Sequence, residues 1–148
     1  HIVEDYKSEL TSNKRIKLVY ENDARTSTNN INQMIIADKT RIGQVISNLI
    51  SNAAKFISEN GSISIKLRND ADHDGFITVI VRDSGTGIHP SVMSRLFTKF
   101  ATMPGTGTGT GLGLFISKSI IEVHGGRMWG ENNLDEKGAT FSFSLPCK

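Results

Sequence analysis

DKTRIGQVISNLISNAAKF, residues 38–56, has the clearest periodicity in the chain. Its apolar residues recur at the i, i+3, i+4, i+7 spacing of a helix that buries one side, and Asp38 is a good N-cap. The spacing predicts a helix of about five turns that ends near Gly61. The buried stripe of this helix would comprise Ile42, Val45, Ile46, Leu49, Ile50 and Ala53.

The opposite side of the predicted helix is polar. Asn48, Asn52 and Lys55 follow one another at i, i+4 and i+7, which aligns two amides and an ammonium along one face. Asparagine is about half a kcal/mol worse than alanine inside a helix. A solvated face is one interpretation; the other is that an amide oxygen ligates Mg²⁺ while the ammonium meets phosphate oxygens.

The rest of the chain alternates between helical spacing and strand-like alternation. This pattern predicts a mixed α/β domain with helices that cover one face of a sheet. In chain order the predicted elements are a helix over 2–10, a strand over 16–20, a polar loop over 26–33, a hairpin of strands over 63–67 and 76–83, a helix from Pro90 to near Phe100, a helix from Leu112 to Gly125, and two strands around Met128 and over 141–145.

A carboxylate is predicted at the end of a buried strand face. Residues 77, 79 and 81 are apolar and Asp83 continues their face, so its carboxylate needs a hydrogen-bond donor at the edge of the core. Gly85 and Gly87 follow and would allow a flat group to approach the backbone. A tight turn in which Asp83 caps nearby amides is the alternative. The third glycine of a dinucleotide fingerprint would fall at Pro90, which excludes a Rossmann site.

Residues 101–113 contain five glycines at alternate positions and run directly into a predicted helix. Backbone amides and the helix dipole at such a junction favour an anion, so the segment predicts a phosphate site on a mobile loop. An ordinary flexible linker is the alternative, although linkers between packed elements seldom carry this much glycine. No G-x-x-x-x-G-K-[ST] motif appears, and Lys118-Ser119 is preceded by Ser117 and lies inside the helix, which excludes a P-loop.

Composition narrows the class of protein. With 148 residues and 37% hydrophobic content, we expect one folding unit over 1–148. The formal charge of +2 and the scattered basic residues argue against nucleic acid as a partner. The single Cys147 fits a reducing, cytoplasmic compartment. No apolar run approaches the roughly 18 residues of a membrane span, and no signal-peptide pattern opens the chain, so no membrane contact is expected.

Six segments together resemble the nucleotide-binding domain of histidine kinases, within the wider family of gyrase B, the MutL repair proteins and the heat-shock chaperone ATPases. Each motif is short, but all occur in the family's order and cover essentially the whole chain. They are Asn48–Phe56 as the asparagine box, Asp83–Ile88 as the first glycine box, Leu96–Phe100 as the phenylalanine box, Gly109–Leu114 as the second glycine box, and the closing segments His124–Gly126 and Gly138–Phe141.

The resemblance implies a Bergerat fold, a two-layer sandwich of a mixed β-sheet with three main helices on one face. It implies ATP and Mg²⁺ as cofactors, with Asn52 on the Mg²⁺ ion, Asn48 beside it, Lys55 on the phosphates and Asp83 accepting from the adenine amino group. An ATP lid would span 101–110. The other implied nucleotide contacts are Gly85, Gly87, Ile88, Phe97, Phe100, Thr110, Gly111, Leu112, Gly113 and Thr140.

Two positions depart from patterns in the wider family. Lys99 stands where a basic residue, usually arginine, reaches the terminal phosphate, and lysine lacks the bidentate fork. Asn48 stands where the water-using ATPases have a glutamate, and an amide cannot take a proton from water. The resemblance therefore implies slow hydrolysis and a catalytic set of Asn48, Lys55 and Lys99.

The acceptor implied by the resemblance is a histidine on a separate dimeric helical hairpin, with a response-regulator receiver domain as an indirect partner. None of the chain's own histidines, at positions 1, 73, 89 and 124, fits that role. Three alternatives remain: a regulatory module that binds nucleotide without kinase activity, a serine kinase of the same fold, and a clamp-type ATPase. Asn48 argues against the last of these.

Overall fold

The computed structural model describes residues 2–23, 34–70, 73–102 and 109–148 of the chain. None of the helices in these ranges has the length and apolar composition that a membrane span requires. The elements are α1 (Ile2–Lys14), β1 (Lys17–Asn22), α2 (Lys39–Phe56), β2 (Ser62–Asn69), β3 (Phe76–Asp83), α3 (Pro90–Met93), α4 (Gly113–Val123), β4 (Arg127–Asn132) and β5 (Ala139–Pro146).

The long helix α2 forms as its periodicity predicts. The Asp38 carboxylate caps it by accepting from the backbone N–H groups of Thr40 and Arg41, at 2.9 and 3.1 Å, an interaction worth about 1 kcal/mol. Leu49 and Ile50 on the buried stripe are at most 1% exposed. Full burial of such a side chain contributes about 1.5–3 kcal/mol, so this stripe anchors the helix on the sheet.

The sheet has five strands in the order β1-β2-β3-β5-β4. β1 pairs with β2 in parallel, and the pairs β2–β3, β3–β5 and β4–β5 are antiparallel. The predicted mixed sheet and the predicted hairpin of β2 and β3 are therefore confirmed. This order places the ends of β3 and β4 and the start of β5 side by side.

Three helices cover the sheet and complete the predicted two-layer sandwich. α1 packs on β1 and α2, α2 packs on β2, β3 and α4, and α4 packs on β4 and β5. The apolar side chains at 141, 143 and 145 of β5 lie in the core between the layers, and Phe143 is fully buried. The fold prediction is confirmed.

Some predicted boundaries are wrong. α2 ends at Phe56, with Ile57 as its C-cap, rather than near Gly61. α3 ends at Met93, and turns continue to Phe100 where a longer helix was expected. Phe100 has a positive φ of 62°, which helical geometry does not allow, and its N–H donates across the loop to the Gly111 carbonyl at 2.9 Å. The predicted loop over 26–33 lies outside the described residues.

Candidate functional site

A cavity of about 260 Å³ opens between α2, the ends of β3 and β5, and the start of α4. Both polar and apolar side chains line it. Its lining residues are Asn48, Ser51, Asn52, Lys55, Phe56, Asp83, Gly87, Ile88, Val92, Leu96, Ala101, Thr102, Gly109, Thr110, Gly111, Gly113, Leu114, Ala139 and Phe141.

The polar face of α2 turns toward this cavity rather than toward bulk water alone. Asn48, Asn52 and Lys55 all line it, as the i, i+4, i+7 spacing requires of residues on one helix face. The two amides are half-buried and Lys55 is exposed. A ligand in the cavity therefore meets two amides and one ammonium from a single rigid helix.

Asp83, the last residue of β3, also lines the cavity and is 5% exposed. Its Oδ1 accepts hydrogen bonds from the backbone N–H groups of Gly85 at 2.8 Å and Ala139 at 3.3 Å. Burial raises the pKa of this carboxyl above its ordinary value, and the two backbone hydrogen bonds oppose that rise. The carboxylate is thus held in place on one side and lines the cavity on the other.

The turn after Asp83 needs its glycines. A Cβ on Gly85 would lie 2.7 Å from the Phe56 carbonyl oxygen, and Gly87 has a φ of +81° that side chains disfavour. The Thr86 N–H donates to the same Phe56 oxygen at 3.3 Å. This loop therefore packs directly against the end of α2.

The side chain of Asn48 is oriented by α4. Its Nδ2 donates to the Ser117 hydroxyl at 3.1 Å and lies 3.5 Å from the Gly113 carbonyl oxygen. A carbonyl can only accept, so the amide nitrogen faces α4 and the amide oxygen faces away from it. Ser117 is fully buried. An amide oxygen directed away from α4 is a suitable ligand for a hard cation.

The glycine-rich segment returns to the body of the domain at Gly109 and Gly111. A Cβ on Gly111, whose φ is +68°, would lie 2.6 Å from the Phe100 backbone, and one on Gly109 would lie 2.6 Å from Lys55 Nζ. These glycines allow the two ends of the predicted lid to approach each other and the Lys55 ammonium. The middle of the predicted lid, 103–108, lies outside the described residues.

The N-terminus of α4 adjoins the cavity. Leu112 is the N-cap and provides no side-chain hydrogen bond, although its own N–H donates to the Thr110 hydroxyl at 3.3 Å. The first N–H groups of a helix lack intrahelical partners. Gly113 and Leu114 line the cavity, so this end of it is suited to an anion.

Six of the predicted site residues do not line the cavity. Lys99 is exposed and its ammonium lies 5.2 Å from the centroid of the Phe115 ring on α4. Phe97 stacks with Lys118 in the same way, and the Thr140 hydroxyl donates to Asn133. Gly85 lies outside the lining, and its N–H donates to the Asp83 carboxylate that lines the cavity. The complete set outside the lining is Gly85, Phe97, Lys99, Phe100, Leu112 and Thr140.

Sequence reasoning did not single out the cavity's apolar wall or the groups that hold its polar residues. Val92 and Leu96 are buried and line the cavity, whereas the sequence placed them only in the helix predicted after Pro90. Ser117, Asn132 and Asn133 act from a distance in sequence. No local pattern marks such partners.

The described histidines have structural partners and none of them lines the cavity. His124 accepts from the Asp38 N–H at 3.1 Å through Nε2 and donates to the Ile120 carbonyl at 2.7 Å through Nδ1, linking α2 to α4. His89 caps α3 by accepting from Ser91. His73 lies beside Asp70 and Arg127.

Comparison with protein families matches residues 37–148 to the family described as histidine kinase-, DNA gyrase B-, and HSP90-like ATPase. Among curated proteins, the sensor protein FixL of Bradyrhizobium diazoefficiens is 42% identical over 114 residues, which are 77% of this chain and 22% of FixL. The chain therefore spans about a fifth of that relative.

Solved structures match over almost the whole chain. The catalytic domain of the histidine kinase ThkA is 34% identical with a TM-score of 0.73, and the match covers 98% of this chain and 86% of that one. Full-length ShkA, solved with AMPPNP, is 27% identical with a TM-score of 0.79, over 98% of this chain and 28% of ShkA. ThkA was also solved in complex with the response regulator protein TrrA.

Proposed function

Because the chain belongs to the histidine kinase-, DNA gyrase B- and HSP90-like ATPase family, we propose that it binds Mg²⁺-ATP and delivers the γ-phosphoryl group to a histidine elsewhere. The chain is a catalytic domain of the histidine kinase type. The observation that carries the proposal is one cavity that is lined by the buried Asp83 carboxylate and also by Asn52, Lys55 and a helix N-terminus.

The Asp83 end suits adenine. A carboxylate oxygen at the edge of the core accepts a hydrogen bond from the exocyclic amino group, while Ile88, Leu96 and Phe141 offer apolar surface to the ring. Guanine presents a carbonyl where adenine presents that amino group, and two acceptors facing each other are repulsive. Because buried polar groups must be paired, this end would favour adenine.

The other end suits the phosphates. Lys55 supplies a positive charge, and the N–H groups at the start of α4 supply donors for phosphate oxygens. The amide oxygens of Asn48 and Asn52 fit Mg²⁺, which prefers oxygen ligands and shares them with substrate phosphates. The ion would supply neutralisation of phosphate charge. We propose that Lys99, exposed beside Phe115, reaches the terminal phosphate from outside the cavity.

Among the described lining residues, none is suited to activate water near the phosphates. Asp83 is the one carboxylate among the described lining residues, and it is committed to the Gly85 and Ala139 amides at the buried end. Asn48 cannot act as a base.

In the proposed transfer the bond from the γ-phosphorus to the bridging oxygen breaks, a bond to an imidazole nitrogen forms, and ADP leaves with the electron pair.

The acceptor is proposed to be a histidine on a separate dimerisation domain, and a response-regulator receiver domain is the proposed next recipient. Support comes from the relatives: FixL is named a sensor protein and ThkA was solved with a response regulator. None of the described histidines lies at the phosphate end of this cavity. We further propose that residues 1–148 act as one domain in the cytoplasm.

Calorimetric titration with ATP, with and without Mg²⁺, tests the first half of the proposal. Saturable binding that strengthens with Mg²⁺ is expected, and no binding by the wild-type domain would sink the proposal in favour of a degenerate module.

The proposed phosphoryl transfer is tested by adding the dimerisation domain with [γ-³²P]ATP. Acid-labile phosphohistidine is expected; acid-stable phosphoserine would indicate a serine kinase of the same fold, and tight binding without transfer a regulatory module.

A further inference from the structure

Two consecutive asparagines at the end of β4 hold both ends of the loop Asp83–Ile88. Asn132 and Asn133 lie 44 and 50 residues from their partners in the chain. Neither side chain lines the cavity, whereas Asp83, Gly87 and Ile88 do. Any effect of these asparagines on a ligand therefore passes through that loop.

Asn132 binds the backbone of Ile88 through both halves of its amide. The Ile88 N–H donates to Oδ1 at 2.6 Å, and Nδ2 donates to the Ile88 carbonyl at 3.1 Å. An amide side chain offers one donor and one acceptor side by side in this way, whereas an ionised carboxylate only accepts. Gly87 permits the approach, because a Cβ there would lie 2.8 Å from Asn132 Oδ1.

Asn133 holds the other end of the loop. Its Nδ2 donates to the Asp83 carbonyl at 2.9 Å and the Lys137 carbonyl at 3.2 Å, and its Oδ1 accepts from the Thr140 hydroxyl at 2.6 Å. Its N–H also donates to the Gly138 carbonyl at 3.0 Å. This one side chain therefore ties Asp83 to the start of β5.

β5 completes the arrangement because it also contacts the Asp83 side chain. Asn132 pairs with Ala139 in the β4–β5 register, and the Ala139 N–H donates to Asp83 Oδ1. Loss of either asparagine would free one end of the loop relative to β5. A hydrogen bond weakens steeply as its geometry departs from ideal, so the Asp83 carboxylate and the Ile88 surface depend on these tethers.

We propose that Asn132 and Asn133 are positioning residues that hold the nucleobase end of the cavity and thereby set its preference for adenine. The inference rests on the proposed function, since it concerns the same cavity. The phosphate end is built on α2 and α4, which neither asparagine contacts in the described hydrogen bonds. Binding of the base should therefore depend on the asparagines, and binding of the phosphates should not.

The sharpest variant is Asn132→Asp, which keeps the acceptor for the Ile88 N–H but places an oxygen against the Ile88 carbonyl. Calorimetry with Mg²⁺-ATP, adenosine, Mg²⁺-GTP and Mg²⁺-tripolyphosphate is the measurement. Affinity for ATP and adenosine is expected to fall about tenfold, the scale of one buried hydrogen bond lost. Tripolyphosphate affinity should stay within twofold, so the preference for ATP over GTP should shrink. Asn133→Asp should behave alike.

Leu134→Ala is the matched control, since Leu134 is the next residue and is fully exposed; it should leave all four affinities unchanged. An Asn132→Asp domain that is folded and binds adenosine like the wild type would overturn the inference and leave the proposed function intact. A wild-type domain that binds no adenine ligand would instead sink the proposed function, and the inference with it.

Amide hydrogen exchange provides a readout that needs no ligand and tolerates a weakly folded variant. In Asn132→Ala the Ile88 N–H loses its acceptor, so its exchange is expected to accelerate at least tenfold relative to core amides such as that of Phe143. In Asn132→Asp the acceptor remains, so Ile88 should stay protected. Equal protection of Ile88 in the wild type and Asn132→Ala would contradict the positioning role.

Discussion

The base end of the cavity is the part that Asp83 and Ile88 line, and the phosphate end is the part that Asn52, Lys55 and the start of α4 line. The two ends are built in different ways. At the base end Asp83 is 5% exposed, two backbone N–H groups hold its carboxylate, and three strand termini meet around it. At the phosphate end Lys55 and Thr110 are exposed and Asn52 is half-buried, all beside the segment that leads into the predicted lid. One end is formed before a ligand arrives, and the other presents charges to solvent.

This difference determines how each end should respond to conditions. A charge in a buried, low-dielectric position interacts strongly and titrates with a shifted pKa, whereas exposed charges are screened by salt. The contribution of the base end to ATP affinity should therefore depend on pH and on single-atom changes of its side chains. The contribution of the phosphate end should depend on Mg²⁺ and on ionic strength.

The largest loss of ATP affinity is expected for the variant Asp83→Asn. The amide can keep one oxygen toward Gly85 and Ala139, but it then presents N–H donors to the adenine amino group, also a donor. Loss of a charge-assisted hydrogen bond and the new repulsion should cost about 3 kcal/mol, or about 100-fold in affinity. Calorimetry should show this loss with ATP and with adenosine alike.

Circular dichroism melts supply the control for this variant. Because burial disfavours the Asp83 charge, the Asn variant should unfold at a temperature no lower than the wild type does near neutral pH. An Asp83→Asn domain that melts normally and still binds adenosine tightly would contradict the assignment of the base end.

Asn52→Ala should have the next largest effect, confined to the phosphate end. Loss of an amide oxygen from the proposed ion site should remove the Mg²⁺-dependent part of ATP affinity, about tenfold. Affinity for adenosine, and for ATP in the presence of EDTA, should not change. If adenosine binding also weakens tenfold, the two ends are not separable and the comparison fails.

The pH dependence tests the buried carboxylate with a defined sign. Only the deprotonated form accepts from adenine, so ATP affinity should fall as pH drops through the raised pKa of Asp83, by at most about tenfold per pH unit.

The contribution of Asp83 to folding stability should change with pH in the opposite direction. A carboxyl with a raised pKa binds more protons when folded, so its contribution is present at low pH and is lost as pH rises from the ordinary aspartate pKa through the raised value.

Thermal melts across pH, with and without ATP, would measure both trends. In the Asp83→Asn variant, which lacks the titrating carboxyl, ATP affinity and melting temperature should both depend less on pH. A wild-type affinity that stays constant with falling pH down to the ordinary aspartate range would contradict a protonatable group at the base end.

The smallest effect is expected from Lys55→Met, because Lys55 is exposed. ATP affinity should fall about two- to fivefold at low ionic strength, and the difference should disappear near 1 M salt, where the screening length is about 3 Å. Titrations at several salt concentrations measure it. A loss that persists at high salt would mean that Lys55 is buried against the phosphates by a closed lid.

Much of this site could be read from adjacent residues. Asn48, Asn52 and Lys55 share a helix face by spacing alone, and Asp83 continues a strand face of period two, so these two alignments needed only local geometry. α3 was predicted too long because Val92 and Leu96 have helical spacing. The backbone hydrogen bond from Phe100 to Gly111 overrides that spacing, and it joins residues that are not neighbours in sequence.

The sequence by itself determined the mixed α/β class, the buried stripe of α2, the glycine turns and the family to which the chain belongs. Each of these depends on periodicity or on motifs of a few residues. Only the tertiary structure decided that Ser117 orients Asn48, that Asn132 and Asn133 tether the loop at Asp83, and that Lys99 lies against Phe115 outside the cavity. Such contacts are set by the packing of distant elements, and directional bonds between them leave no periodic trace along the chain.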